Sequence, residues 1–274
     1  MENLNKEKRV PIETIEGKNI FPYTRGTFNF FCKTCVIILH MIIAFFAKQK
    51  KTTKDFELLA SKCIWIVYHK TLKLAGIASI STSVLDNCFC RARMKIKDCI
   101  CKYCYAANQQ SYQTGLKEHN ILNGFILRNV LIPVSCWKKL TILFPYLRIE
   151  SFGDVENLTQ ARNYIRIIKA NPEKRCAIWS KNIMIWKQAF ELEGKPRNTT
   201  YIHSSSKLNC QENMTSYSFV DHVFTVFTKK YAKEHNITIN CGGKKCMECI
   251  LAKKNCYFRL SAKNNTYYIN ELKK

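Results

Sequence analysis

From residue 146 onward the chain alternates between two periodicities of apolar positions. Short runs rich in β-branched and aromatic residues predict strands: "YLRIESFGD" (146–154, a strand and its turn), "RCAIWS" (175–180), "TTYIHSS" (199–205) and "HVFTVFT" (222–228). Between them lie segments with the helical period: "NLTQARNYIRIIKANP" (157–172), "NIMIWKQAFEL" (182–192) and "KKYAKEH" (229–235). In the first of these Asn157 is placed to cap the helix, Ala161, Ile165 and Ile168 face inward, and Pro172 stands just beyond the end. Upstream, "LAGIASIST" (74–82) predicts a further strand leading into a loop. "GLKEHNILNGFILRNVL" (115–131) predicts a helix with Leu116, Ile121, Phe125 and Val130 near one face. This βαβα succession predicts an α/β fold of parallel βα units, either an open sheet or a partial barrel. In such folds the carboxyl ends of the strands converge on one face, and sites are built there.

The first 73 residues read differently, as an N-terminal extension to an α/β domain of residues 74–274. Residues 1–26 are polar, with Pro11, Pro22 and Gly26, and predict a loose segment. "FNFFCKTCVIILHMIIAFFAKQKK" (28–51) follows, apolar from Cys35 to Ala47 except for His40. That run falls short of the roughly 20 residues that a spanning helix needs. A buried helix is therefore favoured over membrane association through residues 28–47. The run begins far from the first residue and has no small-residue cleavage site, so the chain is expected in a cytoplasm, that of a bacterial host, with its thiols reduced.

Two compositional features change the picture. The net charge of +24 fits either a lysine-rich coding bias or an acidic partner, nucleic acid among them; the lysines are scattered rather than gathered into one basic run. The chain also holds 15 cysteines. Cys63, Cys136, Cys176 and Cys210 lie in apolar settings and predict inert thiols. Others cluster, and clustered cysteines in a reducing compartment point to metal or redox chemistry before disulfides. One group is Cys88, Cys90, Cys99, Cys101 and Cys104; the other is Cys241, Cys246, Cys249 and Cys256. Each contains a CxxC pair, Cys101 with Cys104 and Cys246 with Cys249, the spacing at which two sulfurs curl round one ion. The expected metal ligands are thus Cys90, Cys99, Cys101, Cys104, Cys241, Cys246, Cys249 and Cys256. Zinc and an iron–sulfur cluster both suit soft thiolates, and spacing does not choose between them. Nor does it choose between one site shared by the two groups and a separate site for each.

Polar residues at three strand ends suggest one cavity. Arg148, Glu150, Ser151 and Asp154 sit at or after the first, with Ile149 and Ser151 expected on one side and Arg148 and Glu150 on the other. Lys181 ends the next, with an ammonium suited to an anionic ligand, and "HSSS" (203–206) ends a third. Arg148, Glu150, Asp154 and Lys181 are accordingly the catalytic candidates; an Arg–Glu bridge and helix capping by Asp154 are the plainer alternatives. No Gly-rich phosphate loop, nucleophile elbow or histidine-rich hydrolase motif is present.

"SISTSVLDNCFCRARMKIKDCICKYCYA" (79–106), "RIESFGDVENLTQARNYIRIIKANP" (148–172), "AIWSKN" (177–182) and "VFTKKYAKEHNITINCGGKKCMECILAKKNCYF" (226–258) together resemble the phage gene product 88-like proteins. These occur in bacteriophages and gut bacterial genomes, and the resemblance spans about residues 74–274. It implies a cysteine-rich protein similar to radical S-adenosylmethionine enzymes, which build an iron–sulfur site on a partial βα barrel. The usual CxxxCxxC motif of that class is absent. Lys97 stands four before Cys101, Gly242 occupies the matching place in the second group, Val84 follows "STS", and six residues separate Cys249 from Cys256. An altered cluster would draw its further ligand from Cys90 or Cys99, and S-adenosylmethionine stays open as a cosubstrate. The expected function is a cysteine-cluster metal protein acting on an unidentified small molecule. The alternative is a basic, zinc-stabilised nucleic-acid-binding protein without catalysis.

Overall fold

The computed structural model describes residues 54–69, 74–112, 114–241 and 267–272. The chain order of strands is β1 (Val67–Tyr68), β2 (Ile77–Ile80), β3 (Tyr146–Ile149), β4 (Arg175–Ser180), β5 (Thr199–Ser204), β6 (His222–Phe227) and β7 (Tyr267–Leu272), and the order across the sheet is the same. Only β1 is antiparallel to its neighbour; β2 to β7 are parallel throughout, as the βα rhythm predicts. Each parallel connection steps to the adjacent position in one direction, so right-handed crossovers put their helices on a single face. The packing agrees. Ala78, Ile80, Leu147, Ile149, Cys176, Ile178, Tyr201 and Val223 form one core with Ala161, Tyr164, Ile165 and Ile168 of the helix Leu158–Ala170 and with Trp186 and Phe190 of the helix Ile183–Glu193. The alternate strand residues Ile77 and Ala177 lie on the opposite face, in a smaller cluster with Tyr146 and Trp179.

Local signals account for most boundaries. Asn157 Oδ1 accepts from Gln160 N–H at 2.9 Å and starts the helix Leu158–Ala170 at its expected cap. Gly194, at φ +72°, ends the helix Ile183–Glu193 with its N–H on Phe190 O. Thr228 Oγ1 caps the helix Lys229–Glu234 by accepting from Tyr231 N–H. The helix Thr114–Asn129 differs from expectation in its rotation: Leu116 and Val130 are buried, but Ile126 and Leu127 form its core face while Ile121 and Phe125 are half-buried. Leu122, Ile126 and Leu127, rather than Ile121 and Phe125, are the buried residues that this helix gives to the main core.

The sheet begins before residue 74. A helix at Lys54–Lys62 and strand β1 contribute Phe56, Ala60, Ile64, Ile66 and Tyr68 to the same core. No helix among the described residues is long and apolar enough to cross a membrane; the apolar helix expected at residues 28–47 lies outside the described residues. Cys136 and Cys176 are buried as expected, Cys63 is half-buried, and Cys210 is exposed, because it falls in the loop between β5 and β6 rather than in a strand.

Candidate functional site

The parallel strands carry their polar residues beyond their carboxyl ends. Alternation would send Glu150 to the same face as Arg148, but Glu150 has φ +58°, and this left-handed residue turns its side chain to the helix side. There it is buried among donors. Thr82 N–H donates to Oε2 (3.0 Å), while Thr82 Oγ1 (2.9 Å), Gln160 Nε2 (2.9 Å) and Tyr164 Oη (2.6 Å) all donate to Oε1. Burial, with a smaller push from the Asp154 carboxylate, outweighs these hydrogen bonds and lifts the Glu150 carboxyl up to about 8. Arg148 stays on the opposite face, its guanidinium 4.4 Å above the Trp179 ring. The two residues therefore form no bridge, and Glu150 knits β2, β3 and the helix Leu158–Ala170 together instead of facing a ligand.

Two residues shape the turn after β3. Gly153 has φ +83°, and a Cβ there would stand 2.6 Å from Thr82 Oγ1 and 2.7 Å from Thr82 O, so only glycine allows β2 and this turn to meet so closely. Asp154 does not cap a helix. Its carboxylate accepts from Val155 N–H (2.8 Å), from Ser180 Oγ and from Lys181 N–H (2.7 Å), which pins the end of β4 to the turn after β3. Burial raises its carboxyl above the ordinary aspartate value, and the bonds from Ser180 and Lys181 oppose that rise.

The ends of β4 and β5 meet through side chains. Lys181 Nζ donates to Ser204 Oγ. His203 is buried and shares a 2.8 Å hydrogen bond between its Nε2 and Glu212 Oε2, while Glu212 Oε1 accepts from Ser206 N–H at 2.7 Å. Arg93, from the helix Cys88–Met94, donates from Nη1 to Ser206 Oγ at 2.7 Å.

The first cysteine group roofs this end of the sheet. Residues 84–112 form the helix Cys88–Met94, a tight turn at Ile100–Tyr103 and the helix Tyr105–Tyr112. The segment is fastened beyond two strand ends, those of β3 and β5. Asn87 Nδ2 donates to Asp154 O (2.6 Å), Tyr105 Oη to Ser151 O (3.1 Å) and Ile100 N–H to Ser206 O (2.8 Å), and Cys99 bridges Lys207. Cys90 and Cys99 are buried, Cys101 and Cys104 half-buried. Burial, together with the neighbouring Cys99 and Cys104, pushes the Cys101 thiol up to about 12, against the lowering field of Lys181. Burial raises the Cys90 thiol too, with Asp154, Glu150, Cys101 and Cys104 adding to the rise. Cys101 thus lies within electrostatic reach of Cys90, Cys99 and Cys104. A cation would relieve the repulsion that opposes ionisation of Cys90 and Cys101, and soft sulfur donors suit a thiophilic metal. Even so, no group of three or more metal-ligating side chains is closely enough disposed to hold an ion among the described residues. The thiols would have to draw together to do so.

Of the sequence-derived candidates, the fold brings Asp154, Lys181 and the first thiol group to one end of the sheet, converts Glu150 to a buried structural residue and leaves Arg148 on the opposite face. Cys241 is half-buried; Cys246, Cys249 and Cys256 lie outside the described residues. Arg93 and Glu212 were not singled out in the sequence; Ser206, which both of them meet, and Ser204 lie in the run "HSSS" already placed at a strand end. Comparison of the chain with protein families, with curated proteins and with solved structures gives no match.

Proposed function

We propose that this protein is a thiolate metal protein whose centre lies at the carboxyl end of the parallel sheet and serves a small-molecule site beside it. The observation that supports this most strongly is the gathering of Cys90, Cys99, Cys101 and Cys104 in one segment tied down over the ends of β3 and β5. Such thiolates would hold zinc or an iron–sulfur cluster; zinc would brace the segment, whereas a cluster would supply an electron to a ligand at the strand ends. Lys181 is the charged candidate that faces this end, and it binds or orients that ligand. Asp154 positions Lys181 through its backbone N–H. The second cysteine group supplies further ligands in this reading, from Cys241, Cys246, Cys249 and Cys256. The likeness to phage gene product 88-like proteins accords with a phage- or prophage-encoded metalloprotein working in the cytoplasm of a bacterial host.

Anaerobic purification followed by metal analysis and an absorbance spectrum tests the proposal. Stoichiometric iron with sulfide, or stoichiometric zinc, lost in Cys101→Ser and Cys104→Ser variants, is the expected result. Protein free of both metals after anaerobic isolation overturns it. A second reading has its own support: Arg91, Lys95, Lys97 and Lys102 are exposed on the cysteine segment of a chain with net charge +24, as a zinc-braced nucleic-acid-binding surface would require. Oligonucleotide binding that weakens steeply with salt would favour it, and absence of binding at low salt would remove it.

A further inference from the structure

At the carboxyl end of β5 two cations face serine hydroxyls where carboxylates would be ordinary partners. Lys181 Nζ donates to Ser204 Oγ and Arg93 Nη1 to Ser206 Oγ. Neither cation forms an ion pair among the described residues. Arg93 Nε is buried and has no hydrogen-bond partner. Ser205, between the two serines, turns away from them to Thr225 Oγ1 (2.9 Å). Ser204 ends β5 and Ser206 lies two residues on, in the bend that follows.

A serine that accepts from a cation still has its own proton to donate. The two hydroxyls, the remaining ammonium protons of Lys181 and the unpaired Nε–H of Arg93 therefore make a patch of donors bearing two positive charges. The carboxylates in the region are already engaged. Glu212 accepts at both oxygens, from His203 and from Ser206 N–H, and Asp154 accepts from Ser180, Val155 and Lys181 N–H. Asp154 and Glu212 lie within the electrostatic reach of Lys181 without pairing with it, and half-buried cations that lack an ion pair favour a bound oxyanion. A phosphate monoester at neutral pH carries up to two negative charges and several acceptor oxygens, which matches two cations and two hydroxyls. The cysteine segment roofs the spot through the hydrogen bond from Ile100 N–H to Ser206 O, so a compact ligand fits better than a continuous polymer backbone.

We infer that Arg93, Lys181, Ser204 and Ser206 bind the phosphoryl group of a small molecule at the mouth of the sheet, next to Cys101. The inference rests on reading this strand end as the functional mouth and does not depend on which metal the thiols hold. It makes the substrate class of the proposed site a phosphorylated metabolite, and it gives Arg93 and Lys181 the role of anchoring that group rather than of proton transfer.

Calorimetric titration of the full-length protein with inorganic phosphate at low ionic strength tests it. One saturable site is expected, weakened roughly tenfold or more by Lys181→Met and by Arg93→Met, since each removes a charge-assisted contact. Arg175→Met, at an exposed arginine on the opposite, amino end of β4, leaves binding unchanged. Ser204→Ala and Ser206→Ala remove only hydroxyls and are expected to weaken binding less; they carry the test if the cation variants do not fold. Absence of phosphate binding, wild-type affinity in all four site variants, or acetate binding as tightly as phosphate overturns the assignment. So does an oligonucleotide that uses these residues while inorganic phosphate does not bind. Metal-free protein that binds phosphate through these residues upholds this inference and removes the thiolate–metal reading; a loaded metalloprotein indifferent to phosphate does the reverse.

Discussion

Replacing Glu150 by glutamine tests whether a buried acid held protonated ties β2 and β3 to the neighbouring helix. The ordinary glutamate value is 4.5, and in the folded chain it is raised to about 8. Between those values the native state binds a proton that the unfolded chain releases, so stability is fully present below about pH 4.5 and falls as pH rises. At about 1.4 kcal/mol per pH unit, the loss by pH 8 is on the order of 4 kcal/mol. A glutamine cannot ionise, so the Glu150→Gln variant lacks this component. It has a penalty of its own. Thr82 N–H and Gln160 Nε2 can only donate, and they address different oxygens of residue 150, so the new amide must set one N–H group against a fixed donor. A protonated glutamate avoids this, because its hydroxyl can donate to Tyr164 Oη or Thr82 Oγ1 while still accepting. The mismatch costs about 1–2 kcal/mol. Urea unfolding at pH 4 should therefore find the variant less stable than the wild type, and at pH 8 more stable, with the curves crossing between about pH 5 and 6. Taking the difference between the two proteins cancels the histidines and cysteines. A stability difference that stays constant from pH 5 to pH 8 would refute the reasoning: the four donors would then hold Glu150 ionised throughout.

Other outcomes follow from the same coordinates. Gly153→Ala should destabilise the chain by about 2 kcal/mol or more in thermal unfolding, because its Cβ would press on the Thr82 carbonyl at a positive φ; an effect well under 1 kcal/mol would contradict so close an approach. Trp186 is fully buried against Tyr164, Phe190 and Tyr201, so Trp186→Ala should cost about 3–5 kcal/mol in denaturant unfolding, and a near-neutral result would mean that the helix does not pack there. His69 is held down to about 4 by burial and by the Arg148 charge, so the folded chain resists a proton that the unfolded chain takes up near 6.5. Stability should fall as pH drops from 6.5 towards 4, and His69→Gln, which can keep a bond to Ser79, should reduce that slope; equal slopes in both proteins would count against it.

The sheet was largely legible in the sequence because its strands and crossover helices carry strong periodicity and ordinary caps. "RCAIWS" is a strand over its whole length, and Asn157 starts its helix where a capping side chain predicts. The site was less so. The direction of Glu150 depends on one left-handed residue, and period-two alternation carries no information about such a break. The helices of the cysteine segment, "CFCRARM" and "YAANQQSY", are short and pack only a few small or single apolar residues, such as Cys90, Met94, Ala106 and Ala107, into a minor cluster with Leu116 and Phe152, so they show little periodicity. Arg93 gave no sign of its role, since one arginine in a basic stretch reads as solvated until the fold sets it against Ser206.

Strand order has a consequence for assembly. Each strand from Ile77 to Phe227 docks on the one made just before it, so the sheet can lengthen one unit at a time as the chain is synthesised. The cysteine segment is the exception. It emerges early, between the second and third strands, yet Ser206 and Lys207, which fasten it, are translated about a hundred residues after Cys99. Until then its thiols have only the turn after β3 to rest on, through Asn87 and Tyr105, so any ion held by the finished arrangement is captured late, after β5 is in place.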